Sequence, residues 1–287
     1  MTISFVAAFV WAYWPTFVQL TTLWHREPDY AHGFLVIPLA GWILWLRRDA
    51  LPPQPVSPAW GGLLLIAASA GMRLCAASYH AAPLDAWSIA FWAGGVVWLL
   101  GGLPLLRWAS PAVAFLVFMT PLPYRAERWL NEPLQALSTQ VSCFFLQTLG
   151  RPAIAEGNVI SLGDETLAVA ESCSGLRIFV GVLAMAYLLA AATRQGWWER
   201  ALMFLGAAPV ALLANSARIV TTALLYERLS GETARRAAHD ASGWITVPLA
   251  AVLLALLLWT SGQIYRRTEV SDVGDLLLDR RLREQPA

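Results

Sequence analysis

Three side chains far apart in this sequence would suffice for acyl transfer if the fold brought them together: the thiol of Cys173, the guanidinium of Arg218 and the imidazole of His239. A thiolate attacks a carbonyl carbon, a cation holds the oxyanion that forms, and an imidazole protonates the departing amine. Cys173 sits where the polar run Glu171-Ser172-Cys173-Ser174 enters a long apolar segment. Arg177, four residues on, shares its face if that segment is helical, and a cation so placed favours the thiolate. A cysteine at a helix start is by itself more often a small packing residue. Cys173 takes its weight from Arg218 and His239.

Arg73, Arg177 and Arg218 fall inside apolar runs that contain no Asp or Glu. A cation at membrane depth costs about 3 kcal/mol on insertion scales, so such residues mark a polar cavity unless they snorkel to the head groups. For Arg73 snorkelling is the favoured reading, with binding of an acidic substrate residue as the other. Arg218 lies about 10 Å of helical rise inside its run, and Asn215 shares its face three residues earlier, with Ser216 between them. His239 stands about one turn before the last apolar run, in a stretch (226–242) that reads as a polar loop. Asp240 beside it would point elsewhere. His25, His32 and His80 fall on the same side of the membrane and compete with His239 for the acid/base role.

These residues need a membrane scaffold to position them. Of 287 residues, 57% are hydrophobic and 14% charged, and mean hydropathy is +0.54. Apolar runs at about 3–23, 34–46, 60–78, 86–103, 108–119, 174–192, 201–225 and 243–264 have spanning character. The fold class expected is an all-α polytopic membrane protein with about eight transmembrane helices and a small extracytoplasmic β-hairpin before the cysteine. Many of the 15 tryptophans fall near the ends of these runs, as an interfacial belt requires. The first run lacks a basic start and a small-residue cleavage site, so it reads as a retained helix. All 20 basic residues are arginines, scattered along the chain, which excludes a nucleic-acid groove.

Between the fifth and sixth runs the chain changes character. Glu127, Arg128, Asn131, Glu132 and Gln135 are interleaved with Trp129, Leu130, Leu134, Leu137 and Val141 at helical spacing, which predicts an amphipathic helix lying on or partly dipping into the membrane surface. Then 158–162 and 166–169 read as two strands about the turn Gly163-Asp164-Glu165. With the N-terminus cytoplasmic, eight crossings put Arg47-Arg48, Arg107, Arg194, Arg200 and Arg266-Arg267 inside, and the hairpin, Cys173 and His239 outside. Arg125, Arg128, Arg235 and Arg236 then lie outside, against that rule. Residues 1–265 form the membrane domain, and 266–287 a charged cytoplasmic tail. Cys75, Cys143 and Cys173 have no metal-ligand spacing, and a Cys143–Cys173 disulfide would occupy the nucleophile. No metal or organic cofactor is indicated.

Taken together these motifs resemble the exosortase/archaeosortase family of integral-membrane cysteine transpeptidases. The resemblance rests on Asp29-Tyr30-Ala31-His32-Gly33-Phe34, Met119-Thr120-Pro121-Leu122-Pro123, Glu156-Gly157-Asn158, Glu171-Ser172-Cys173-Ser174-Gly175-Leu176-Arg177, Asn215-Ser216-Ala217-Arg218, and His239 followed by Gly243-Trp244. It implies a Cys173/Arg218/His239 triad, with histidine at the third position as in the bacterial members. Arg177, Asn215, Glu171, Ser174, His32 and Asp29 are the expected supporting or substrate-binding residues. The implied substrates are membrane-anchored secreted proteins whose C-terminal signal joins a short motif, of the Pro-Glu-Pro type, to a membrane helix and an arginine-rich end. An acceptor nucleophile of unknown nature resolves the thioester. The implied location is the cytoplasmic (inner) membrane of a bacterium. The competing readings are a transporter and a scaffold for envelope or polysaccharide assembly; neither an internal repeat nor an acidic coupling residue in a spanning run supports transport.

Overall fold

Long apolar runs satisfy their backbone polar groups internally, and helices dominate accordingly. The computed structural model describes residues 2–27, 30–53, 59–163, 165–169, 175–192, 196–227 and 232–264. Its helices are α1 Thr2–Arg26, α2 Gly33–Leu46, α3 Gly62–Tyr79, α4 Ala82–Phe115, α5 Tyr124–Thr148, α6 Gly175–Ala192, α7 Trp197–Tyr226 and α8 Glu232–Ile264. Strands β1 Ala153–Glu156, β2 Val159–Leu162 and β3 Glu165–Ala168 separate α5 from α6. The tail 266–287 lies outside the described residues.

Five of these helices are long and apolar enough to cross a membrane: α3, α4 with the 3₁₀ turn Leu116–Met119 that continues it, α6, α7, and Ile245–Gln263 within α8. The shorter α2 is also apolar. The all-α membrane class therefore holds, while the count is not eight. Part of the difference lies in α4, where two expected helices follow one another without a loop. Gly102 adopts φ 68°, ψ −173°, a conformation essentially confined to glycine. A Cβ added at Gly94 would stand 3.5 Å from Val113 Cγ1, although nineteen residues of straight helix would part them by about 28 Å. The chain thus folds back at Gly102, and Pro104 starts the return leg.

That return leg is pinned to α2 at both ends. At one end Trp108 Nε1 donates to the Arg47 carbonyl (2.7 Å) and Arg47 Nε to the Trp108 carbonyl (3.2 Å). At the other, Trp24 Nε1 donates to the Met119 carbonyl at 2.9 Å, and His32 Nε2 lies 3.0 Å from the Phe118 oxygen. A Cβ at Gly33 would fall 2.2 Å from Trp24 Nε1, so only glycine admits this joint. Tyr13, Ile43, Phe115 and Met119 fill the core between these helices.

Arg73 corrects an expectation. Its Nε lies 3.1 Å from Asp85 Oδ1, and its guanidinium stacks 4.3 Å from the Tyr13 ring centroid. Tyr13 Oη meets Ser69 and Ser88, and Thr16 donates to Asp85. Asp85, expected in a connection, belongs to the first turn of α4. This cation has a carboxylate partner after all and does not need to reach the head groups.

In the second half, Ala186 of α6, Met203, Ala207 and Ala214 of α7, and Leu254 of α8 form a close-packed core of mostly small residues. Helix α5 turns its polar side inward against it. Gln135, Ser138, Thr139 and Ser142 are buried, while Trp129, Leu137 and Phe144 are exposed. The expected surface helix is therefore a wall of the bundle, with the polarity a hydrocarbon environment selects: polar groups find partners inside, and apolar ones face outward.

The expected hairpin is present as β2 and β3, paired Ile160↔Leu167 about the Gly163 turn (φ +60°), and β1 adds a third antiparallel strand, Ala155↔Ile160. Ala153, Ile160, Leu162, Leu167 and Val169 bury one sheet face on Cys143 and Leu146 of α5 and Ile219 and Ala223 of α7. The sheet is thus seated over the ends of these two helices.

Helix α8 begins at Glu232, so His239 and Asp240 are helical and the expected loop over 226–242 is much shorter. A stretch rich in Ala (Ala234, Ala237, Ala238, Ala241) carries high helix propensity, which polarity alone concealed.

Candidate active site

Arg218 occupies the middle of the second half. It projects from α7, a helix that must present small residues to its neighbours here, and it is only 5% exposed. Burial of a guanidinium to this degree demands polar surroundings. On the α8 side it lies against the backbone at Gly243, where an added Cβ would stand 3.6 Å from Nη2. His239 precedes Gly243 by four residues in the same helix, α8. Of residues 232–242 only the backbone is described.

One turn before Arg218, Asn215 is 1% exposed and donates from Nδ2 to Ser138 Oγ of α5 at 3.0 Å. A Cβ at Gly175, the first residue of α6, would be 3.5 Å from Asn215 Nδ2 and 3.3 Å from Leu134 Cβ. Gly175 therefore lies in a junction of α5, α6 and α7, with no room to spare for a side chain. Cys173 stands two residues upstream of this junction in the sequence, and Val169, 1% exposed, four residues upstream of Cys173. Glu171, Cys173, Ser174 and Asp29 lie outside the described residues.

The α5–α7 contact is polar. Ser142 Oγ approaches the Ser216 carbonyl at 3.5 Å, and Thr222, 1% exposed, extends the polar stripe along α7. Among the described residues, Asn215 Oδ1 and Ser216 Oγ are buried with no hydrogen-bond partner. A buried oxygen left so costs about 1–3 kcal/mol, which suits a site that receives a donor in use better than a finished core.

Arg177 lies half-buried in the first turn of α6. His32 belongs to the joint between α2 and the end of α4, where its ring is engaged with the Phe118 carbonyl. Ser138, Gln135 and Ser142 escaped the sequence reading, although their i, i+3, i+7 spacing put them on one face of the amphipathic segment. Cys143 is a free, buried thiol that donates to the Ala153 carbonyl at 3.3 Å, not a disulfide partner. Among the described residues, no three His, Cys, Asp or Glu side chains gather where a metal ion would sit.

A buried guanidinium with an amide one helical turn away is chemistry capable of holding an oxyanion. A family model described as Transmembrane exosortase (Exosortase_EpsH) matches residues 24–256, most of the chain. No curated protein and no solved structure matches the chain significantly.

Proposed function

The chain belongs to the transmembrane exosortase family, and from that premise we propose that it is a membrane cysteine transpeptidase with Cys173 as nucleophile, Arg218 as oxyanion ligand and His239 as general acid. The observation that carries this reading is the convergence on one face of α7. Gly175, two residues after Cys173, packs on Asn215, and Gly243, one turn after His239, packs on Arg218. Three segments distant in sequence meet within a single turn of helix.

The thiolate of Cys173 attacks the carbonyl carbon of the scissile peptide bond, and the oxygen takes the charge beside Arg218. Collapse of this intermediate breaks the C–N bond, His239 gives its proton to the leaving amine, and a thioester remains on Cys173. An amine, hydroxyl or water then attacks the thioester and regenerates the thiol. Arg177, half-buried in the first turn of α6, is the cation assigned in this reading to an acidic residue of the recognition motif. Glu171, Ser174, Asp29 and His32 are the remaining candidates for support or substrate binding. The substrates are membrane-anchored secreted proteins with a C-terminal motif, helix and arginine-rich end. The enzyme resides in the cytoplasmic membrane with both termini inside and its site facing outward.

Co-expression with a secreted reporter that carries such a C-terminal signal from the same genome tests this reading. Wild type shortens the reporter, and Cys173→Ala leaves it at full length. Equal cleavage by both would remove the cysteine mechanism.

A further inference from the structure

Helix α5 holds the chain on both sides of Cys173. Gln135 Oε1 accepts a hydrogen bond from Asn158 Nδ2 at 2.9 Å, and the Asn158 carbonyl accepts the Val169 N–H at 2.8 Å. One turn along the same face of α5, Ser138 takes the Asn215 amide at 3.0 Å, and Asn215 together with Leu134 walls in Gly175. Gln135 and Ser138 are 7% and 1% exposed, so neither bond is replaced by bulk water. Gly157, at φ +62°, supplies the left-handed step that turns the Asn158 amide toward α5 while its carbonyl stays in register with Val169. The Glu156-Gly157-Asn158 motif, which the triad does not use, thereby acquires a task.

Resting on the reading of Cys173 as nucleophile, we propose that Gln135 and Ser138 are positioning residues for its thiol, α5 acting as a splint that fixes Val169 upstream and Gly175 downstream of it. Each works through another group, Gln135 through Asn158 and Ser138 through Asn215. The splint leaves five residues, 170–174, between two fixed points. Two anchors so close in sequence restrict where the nucleophile between them can go.

The test uses the full-length enzyme in proteoliposomes, with two readouts: reporter processing, and the pH profile of Cys173 alkylation by iodoacetamide followed by mass spectrometry of the Cys173 peptide. Ser138→Ala and Gln135→Met are expected to lower kcat about tenfold or more with KM little changed, since a small misplacement of reacting groups is costly. Their alkylation midpoint is expected to rise by about half a unit or more toward that of an ordinary thiol, as the distance to Arg218 and Arg177 becomes less defined. Ser138→Thr, which keeps the hydroxyl, restores both readouts. Alkylation profiles of Ser138→Ala and Gln135→Met that superimpose on wild type would overturn the splint, whatever happened to processing. If those profiles shift while Cys173→Ala still processes the reporter, the splint stands and the nucleophile assignment falls.

Discussion

Arg73 and Arg218 are both held inside the bundle, and the two halves treat them differently. Arg73 is closed into a network: an ion pair with Asp85, a ring of Tyr13 beneath it, and hydroxyls of Thr16, Ser69 and Ser88 around the pair. Arg218 is more deeply buried and lies beside Gly243, and in the turn of α7 that precedes it the buried oxygens of Asn215 and Ser216 have no hydrogen-bond partner among the described residues. A closed polar network fixes helices, whereas buried polar oxygens left without partners beside a cation are the feature on which the proposed role of Arg218 rests. A buried charge alone does not distinguish structure from chemistry. The state of the polar atoms around it does.

The sharpest way to break this contrast is to remove each cation. Arg218→Ala is expected to lower reporter processing by about 10²–10³-fold, the loss typical of an oxyanion donor, with Cys173 still alkylated and the protein still in the membrane. Arg218→Lys should recover little, because an ammonium does not reproduce the planar fork. Arg73→Ala is expected to act on stability, by about 3 kcal/mol, because it leaves the Asp85 carboxylate unpaired. Thermal unfolding in detergent would fall several degrees, and activity per folded molecule would stay near wild type. The paired replacement Arg73→Met with Asp85→Leu should return most of the lost stability. If Arg73→Ala abolished processing at normal fold, the contrast would fail.

A smaller effect is expected at the α4 reversal. Gly102→Ala should cost about 1–3 kcal/mol, as its φ and ψ lie in a region open essentially to glycine alone. Smallest is Tyr13→Phe, which removes the hydroxyl bonded to Ser69 and Ser88 and should cost about 1 kcal/mol. Both changes are predicted to leave the pH dependence and kcat of processing unchanged, measured against folded enzyme by size-exclusion chromatography.

Composition made the membrane class legible, and the run of motifs made the family legible. Asn215 and Arg218 were legible as a pair because helical spacing places i and i+3 together. Harder to read were features that depend on which side of an element faces in. The amphipathic pattern of α5 has the same period whether its polar side meets water or the bundle, so periodicity could not reveal that Ser138 and Gln135 are inside. Asp85 was missed as the partner of Arg73 because the pair spans a helix–helix connection, where spacing rules end. Polarity hid the helical start of α8, so His239, expected in a loop, is helical.

The claim that most depends on all of this is a thioester on Cys173. Rapid quenching of the wild-type enzyme during turnover of its reporter, followed by denaturing non-reducing electrophoresis and mass spectrometry, tests it directly. The account predicts an enzyme–reporter adduct through Cys173 that hydroxylamine releases and that Cys173→Ala does not form. An unmodified Cys173 during reporter cleavage, or an adduct on another residue, would contradict it.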